Sequence, residues 1–134
     1  MTHDDRSIQV SWTALTSASD IGGPTLSIDS YALEYSVNSS TSYTEIQGIS
    51  SNSTLTTATL SGLTPHTTYN FRVKALNIHA FGTDSADLSI TTSDDVPEQI
   101  TVLSTAITSG TYITVSWTAP SDNGLTISAY LIEF

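Results

Sequence analysis

The chain contains no cysteine, which removes disulfides, thiolate metal sites and cysteine nucleophiles together. Any fold it adopts must hold by packing alone. Positive charge is almost as scarce: Arg6, Arg72 and Lys74 stand against thirteen carboxylates, for a formal net charge of -10. Such a chain repels phosphate backbones and anionic surfaces, so nucleic acid is not an expected partner. No run approaches the roughly 18 apolar residues that a membrane helix needs, so direct membrane insertion of this segment is not expected. The opening MTHDDR lacks the apolar stretch of a secretion signal, although a longer parent can carry both signal and anchor. The three histidines, His3, His66 and His79, are isolated from one another, with no pair at metal-ligand spacing. There is no Gly-x-Ser-x-Gly elbow and no Ser-x-x-Lys pair, and Gly22 and Gly23 precede a strand pattern rather than a phosphate-binding helix. No catalytic, cofactor-binding or metal-ligating residue is assigned, and the segment is not expected to be an enzyme.

What is present favours strands. About a third of the 134 residues are Ser or Thr, and only 12% are charged, a mixture poor in helix formers and rich in strand and turn formers. Residues 7–13 alternate, with Ile8, Val10 and Trp12 on one face; residues 15–26 read as a loop from their Ser, Asp, Gly and Pro content. A strand follows over residues 28–37, with Ile28, Tyr31, Leu33 and Tyr35 directed inward and Glu34 outward. Shorter strands are expected at residues 43–49, closed by Gly48, and at residues 55–60. The clearest element is the last half of residues 60–77: Leu60 and Leu63 bracket Gly62, Pro65 marks a corner, and Tyr69, Phe71, Val73 and Ala75 alternate with Asn70, Arg72 and Lys74. Period two over that length is a strand with one wet face. Residues 77–84 form a hairpin loop, and Leu88 and Ile90 lie on the final strand of this unit.

The stretch Leu-x-Gly-Leu-x-Pro-x-Thr-x-Tyr-x-Phe-Arg-Val-x-Ala, residues 60–75, resembles the E–F region of a fibronectin type III module. The resemblance implies an all-β, immunoglobulin-like Greek-key sandwich in which Tyr69 is the tyrosine of the corner before strand F, its hydroxyl meeting the corner backbone near Leu63 or His66. The structural signature is Trp12, Tyr31, Tyr35, Leu63, Pro65, Tyr69, Phe71 and Val73, with Trp117 and Tyr130 further along the chain. A strand A is missing or vestigial, unless residues 1–6 supply a stub. On the outer face, Arg72 and Lys74 are expected to pair across strands with Glu34.

The pattern then repeats. Within the polar run 92–98, residues 94–98 read as a linker, because Pro97 interrupts any ladder and Asp94 and Asp95 keep it wet. Residues 100–106 and 112–118 read as strands A and B of a second module, with Ile113, Val115 and Trp117 matching Ile8, Val10 and Trp12. Residues 127–134 match strand C, with Tyr130 opposite Tyr31. Spacing falls from 105 residues between the tryptophans to 99 between these tyrosines, which places about six extra residues in the first B–C loop. The expected organisation is a module over residues 1–93, a linker over 94–98, and strands A, B and C of a second module over 99–134. We read the second copy as part of a tandem array that continues beyond this segment; complementation by strands of a neighbouring chain is the alternative.

Function is less legible. Asn38 and Asn52 begin Asn-x-Ser/Thr triplets in polar turns and are candidate N-glycosylation sites. Ile78, His79 and Phe81 form a candidate interaction loop, since type III modules use the F–G loop in recognition; no Arg-Gly-Asp occurs. No cofactor is expected. Calcium is the alternative, at the Asp94–Asp95 junction or in the B–C loops with Asp20, Asp29 and Asp122, although Asp-Asn-Gly also serves an ordinary turn. The resemblance implies a structural protein of cell adhesion: a non-catalytic spacer and interaction surface of a larger extracellular or cell-surface glycoprotein, with other proteins or neighbouring modules as partners. A spacer module of a secreted polysaccharide-degrading enzyme is the alternative.

Overall fold

A computed structural model describes residues 3–4, 6–101, 103–110 and 112–134. The chain divides into two compact units, Met1–Ser93 and Asp94–Phe134.

The first unit is a sandwich of two antiparallel sheets. β1 (His3–Asp4), β2 (Ser7–Ser11) and β5 (Thr57–Ser61) form one; β4 (Thr44–Gln47), β3 (Ser30–Val37), β6 (Thr68–Leu76) and β7 (Leu88–Thr91) form the other, in that order. The chain passes from β2 to β3 across the sandwich, returns from β4 to β5, and crosses again to β6, a Greek-key path. β1 is the stub of strand A, pairing His3 with Ile8 and Asp4 with Ser7; residues 1, 2 and 5 of that stub lie outside the described residues.

Alternation explains the core. Ile8 and Val10 from one sheet meet Leu33, Tyr69 and Phe71 from the other, with Leu63 closing the end. Ile8 is fully buried, and Phe71 is 1% exposed. Trp12 packs against this cluster and meets Tyr31 edge to face, with ring centroids 5.9 Å apart, a geometry that sets the positive ring edge against the negative face. The Tyr31 hydroxyl in turn accepts the Leu15 backbone N–H at 2.8 Å.

The corner before β6 forms as its sequence implies. Pro65 is buried, and the Tyr69 hydroxyl accepts the Thr64 backbone N–H at 3.0 Å while its ring is 5% exposed. Thr92 closes the same corner from the far side: its hydroxyl donates to Thr64 O at 2.8 Å and accepts from Thr67 N at 3.0 Å. Removing the Tyr69 hydroxyl leaves the Thr64 donor without that partner. Tyr69→Phe should therefore lose about 1–2 kcal/mol in urea unfolding, with the slope of the transition unchanged; a loss below the fitting error would remove the clasp role.

Three local expectations are corrected. The first B–C loop contains a short helix, α1 (Ala18–Ile21), capped by Ser17, whose side chain accepts from Asp20 N. Glu34 does point to the outer face of its sheet, yet it is 8% exposed, because cations from β6 cover it. Thr92, the first residue of the polar run, is 3% exposed and belongs to the corner rather than to a wet linker.

The second unit contains β8 (Leu103–Ser109) and β9 (Tyr112–Trp117), paired antiparallel from Leu103↔Trp117 onward. The expected strand A is thus shifted about three residues along the chain; Val102 lies outside the described residues. Residues 127–134 form no strand among the described residues, which corrects the expected strand C. In the first unit β3 is held between β4 and β6; residues 127–134 have no such ladder to join. Trp117 and Tyr130 nevertheless meet edge to face at 5.2 Å, repeating the Trp12–Tyr31 contact. Residues 94–98 are tied into this unit: Asp95 N and Glu98 N donate to Asn123 O and Ser121 O, and Asn123 Nδ2 donates to Val96 O at 2.7 Å.

Candidate functional site

The expected recognition loop follows β6, where Leu76 and Phe81 form an isolated bridge that closes the hairpin. Asn77 organises its tip. Its Oδ1 accepts from His79 N at 2.9 Å and Ala80 N at 3.3 Å, and its Nδ2 donates to Ile21 O at 3.1 Å. One side chain therefore ties the F–G loop to α1. Of the candidate residues, Ile78 is 75% exposed and His79 is exposed, whereas Phe81 is half-buried, with Lys74 Nζ 5.5 Å from its ring centroid. The structure separates the three: Ile78 is surface, whereas Phe81 and the exposed His79 both line a cleft. Between α1 and the loop lies a cleft of about 420 Å³, whose lining includes Leu15, Asp20, Ile28, Ala75 and Phe81.

Residue patterning alone missed this cleft. Its far wall is α1, in a stretch that composition marks as loop, yet Ser17-Ala18-Ser19-Asp20 fits the Ser-x-x-acid signature of a helix start. Gly22 ends the helix with φ of 94°, and a Cβ there would lie 3.1 Å from Asn77 Nδ2.

On the outer face of the four-stranded sheet, two cations and two carboxylates form a closed set. Glu34 Oε2 lies 3.0 Å from Arg72 Nε and 3.3 Å from Lys74 Nζ, while Asp84 Oδ2 lies 3.1 Å from Arg72 Nη1. Arg72 also stacks 3.7 Å from the Tyr43 ring centroid, and the Tyr43 hydroxyl donates to Asp87 at 2.7 Å. That hydrogen bond, the largest cause, raises the phenol's pKa. Each charge here is matched by a neighbour, so the cluster stabilises the sheet and is not a free binding site.

Glu45 does similar structural work. Its Oε1 accepts from Ser50 N at 2.8 Å, Ser50 Oγ at 3.0 Å and Ile49 N at 2.7 Å. The hydrogen bond from the Ser50 backbone is the largest cause holding its carboxyl below the ordinary value of 4.5. A depressed folded-state pKa contributes stability above the unfolded value that is lost as pH falls through the folded one. The turn over residues 48–51 should accordingly hold at pH 5 and loosen only below 4.5. In an NMR titration the Ile49 and Ser50 amides should move with a midpoint under 4.5, and Glu45→Gln should abolish the movement; a midpoint at or above 4.5 would contradict the assignment.

The remaining candidates sit apart. Asn38 and Asn52 are exposed in turns, at φ of 53° and 48°. Asp122 Oδ1 accepts from Gly124 N, the geometry of a turn. Among the described residues no three His, Asp or Glu side chains converge as a metal set, and no helix is long and apolar enough to cross a membrane.

Comparison with known proteins agrees with this architecture. The family model described as fibronectin type III domain matches residues 2–91. Fibronectin type-III domain-containing protein 3A of Homo sapiens is 36% identical over 76 residues, 57% of this chain, and the chain spans only 6% of that relative's length. Among solved structures, a myokine structure aligns with a TM-score of 0.53 at 21% identity, covering 67% of this chain and 85% of the other. The twitchin kinase region of C. elegans aligns at 0.54 and 17% identity, covering 76% of this chain and 17% of the other; at such identities the likeness is one of fold. With the A–B–E and C′–C–F–G sheets, the tyrosine corner and the match over residues 2–91 in agreement, the chain belongs to the fibronectin type III domain family.

Proposed function

We propose that this chain is a non-catalytic spacer and protein-interaction segment of a larger multi-module protein, displayed outside the cell or at its surface. One observation carries the reading: Ser30, Glu34 and Thr92, polar side chains buried in the first unit, are engaged in holding the fold. Ser30 Oγ donates to Gly48 O, Thr92 binds the corner, and Glu34 is matched by Arg72 and Lys74, which leaves the loops as the surface for recognition. The repeat supports the array: residues 1–93 form a module, 94–98 join it to the next, and 99–134 open that second module. The acidic, lysine-poor surface and the exposed triplets at Asn38 and Asn52 support the extracellular setting and N-linked glycans. No cofactor is part of this reading. Protease treatment of intact cells should release peptides of this chain, and those spanning Asn38 and Asn52 should lose hexose-containing mass on N-glycosidase treatment. Recovery of unmodified peptides only after lysis would overturn the surface setting.

A further inference from the structure

We infer that the cleft between α1 and the F–G loop receives a lysine or arginine side chain presented by a protein partner; this rests on the interaction-module reading and names the chemistry of that partner. The cleft exists because of the first B–C loop's extra length. Aligned on the repeated Trp and Tyr, that loop has about six residues more than its counterpart in the second unit, and insertions in repeats collect on binding faces. The added residues fold into α1 and the Gly22–Gly23 turn, and Asn77 holds this wall against the F–G loop through its bond to Ile21 O.

The chemistry of the walls selects the occupant. Leu15, Ile28, Ala75 and Phe81 give an apolar lining, and the volume of about 420 Å³ suits an inserted side chain. Ser19 and Asp20 supply the polar side. The Asp20 carboxylate accepts a single long hydrogen bond among the described residues, 3.5 Å from Ser19 Oγ, so most of its acceptor capacity is open. Among the described residues no Lys or Arg lines the cleft, and its one basic side chain, His79, is exposed; Arg72 and Lys74 are held by Glu34 and Asp84. A long aliphatic stem with a cationic head satisfies both walls at once, and the net charge of -10 steers such a partner inward while repelling an acidic one.

The test is an NMR titration of the whole 15N-labelled 134-residue chain with three capped tripeptides, Leu-Lys-Leu, Leu-norleucine-Leu and Leu-Glu-Leu. The lysine peptide should shift amides of residues 19–22 and 75–83 and saturate in the millimolar range. Asp20→Asn, which keeps the side chain's shape, should weaken it about fivefold and leave the response to the norleucine peptide unchanged. Equal binding of the lysine and norleucine peptides, or no effect of Asp20→Asn, overturns the basic-partner assignment; shifts confined to other residues, or none, overturn the cleft as a site. The cell-surface experiment does not involve the cleft, so failure of the spacer reading and failure of this inference are separately visible.

Discussion

Gly48→Ala should destabilise the first unit by about 4 kcal/mol, enough to leave a large share of the module unfolded at room temperature. Gly48 follows β4 with φ of 102°, and a Cβ built there would lie 1.8 Å from Tyr31 O, 2.5 Å from Tyr31 C and 2.7 Å from Ala32 Cα. These are backbone atoms of β3, the strand that Ile8 and Phe71 pack around, so no rotamer change can relieve the clash. The chain must either push β4 off β3 or displace the core strand, and overpacking of this kind costs roughly 1–3 kcal/mol or more, in addition to about 1–2 kcal/mol for the left-handed backbone. Gly62→Ala provides the control: its φ is 74°, but a Cβ there meets nothing within 4 Å. That variant should lose only the backbone part, about 1–2 kcal/mol. Urea unfolding of the two proteins side by side measures the steric contribution by difference, and equal losses would show that the approach of Gly48 to β3 is not tight.

Phe71→Ala should cost a comparable amount, about 3–5 kcal/mol. Phe71 is 1% exposed, pairs with Tyr35 on one side and Leu88 on the other, and belongs to the cluster that joins the two sheets. A groove of about 230 Å³ bounded by Val10, Trp12, Leu33 and Val73 already reaches this ring. The void left by truncation therefore merges with that groove, and the neighbours lose dispersion contacts that collapse cannot restore. Phe71→Leu, which keeps most of the volume, should lose less than half as much. Near-UV circular dichroism followed through the unfolding transition reports both variants, because Trp12, Tyr35 and Tyr69 lie around the same core. A loss below 1 kcal/mol for Phe71→Ala would place the core elsewhere.

How much of this was readable depends on how far apart the interacting residues lie. The corner was legible from residues 60–75, because a tyrosine four residues after a proline, opening a period-two strand, carries its partner in the same segment. The B-strand tryptophans were legible for the same reason, each embedded in its own alternation. α1 was missed although Ser17 and Asp20 announced it, since the surrounding Ser, Gly and Pro outweighed a four-residue signal. Glu34 was placed on the correct face but not in its environment: its burial requires Arg72 and Lys74, almost forty residues away, to fold across it. Thr92 had no sequence signal at all, being one Thr in a chain about one-third Ser and Thr. The cleft combined both difficulties, with one wall in an unrecognised helix and the other in a loop more than fifty residues distant.

The repeated strand separates the two kinds of information. Ile8 and Ile113 occupy the same place in the same pattern, and local alternation makes a strand of each. Their environments differ completely: Ile8 is 0% exposed and Ile113 is 72% exposed. Alternation, turn chemistry and the corner motif are carried by residues close in the chain, so the sequence alone determined the strands of the first unit, the family they build, and the absence of thiol and strongly cationic chemistry. Burial depends on what arrives from elsewhere. Only the tertiary structure decided that β3 and β6 cover Ile8, that Gly48 meets the β3 backbone, that Glu34 is enclosed by cations, and that α1 and the F–G loop face one another across a cleft, because each is a meeting of segments that short-range patterning cannot place.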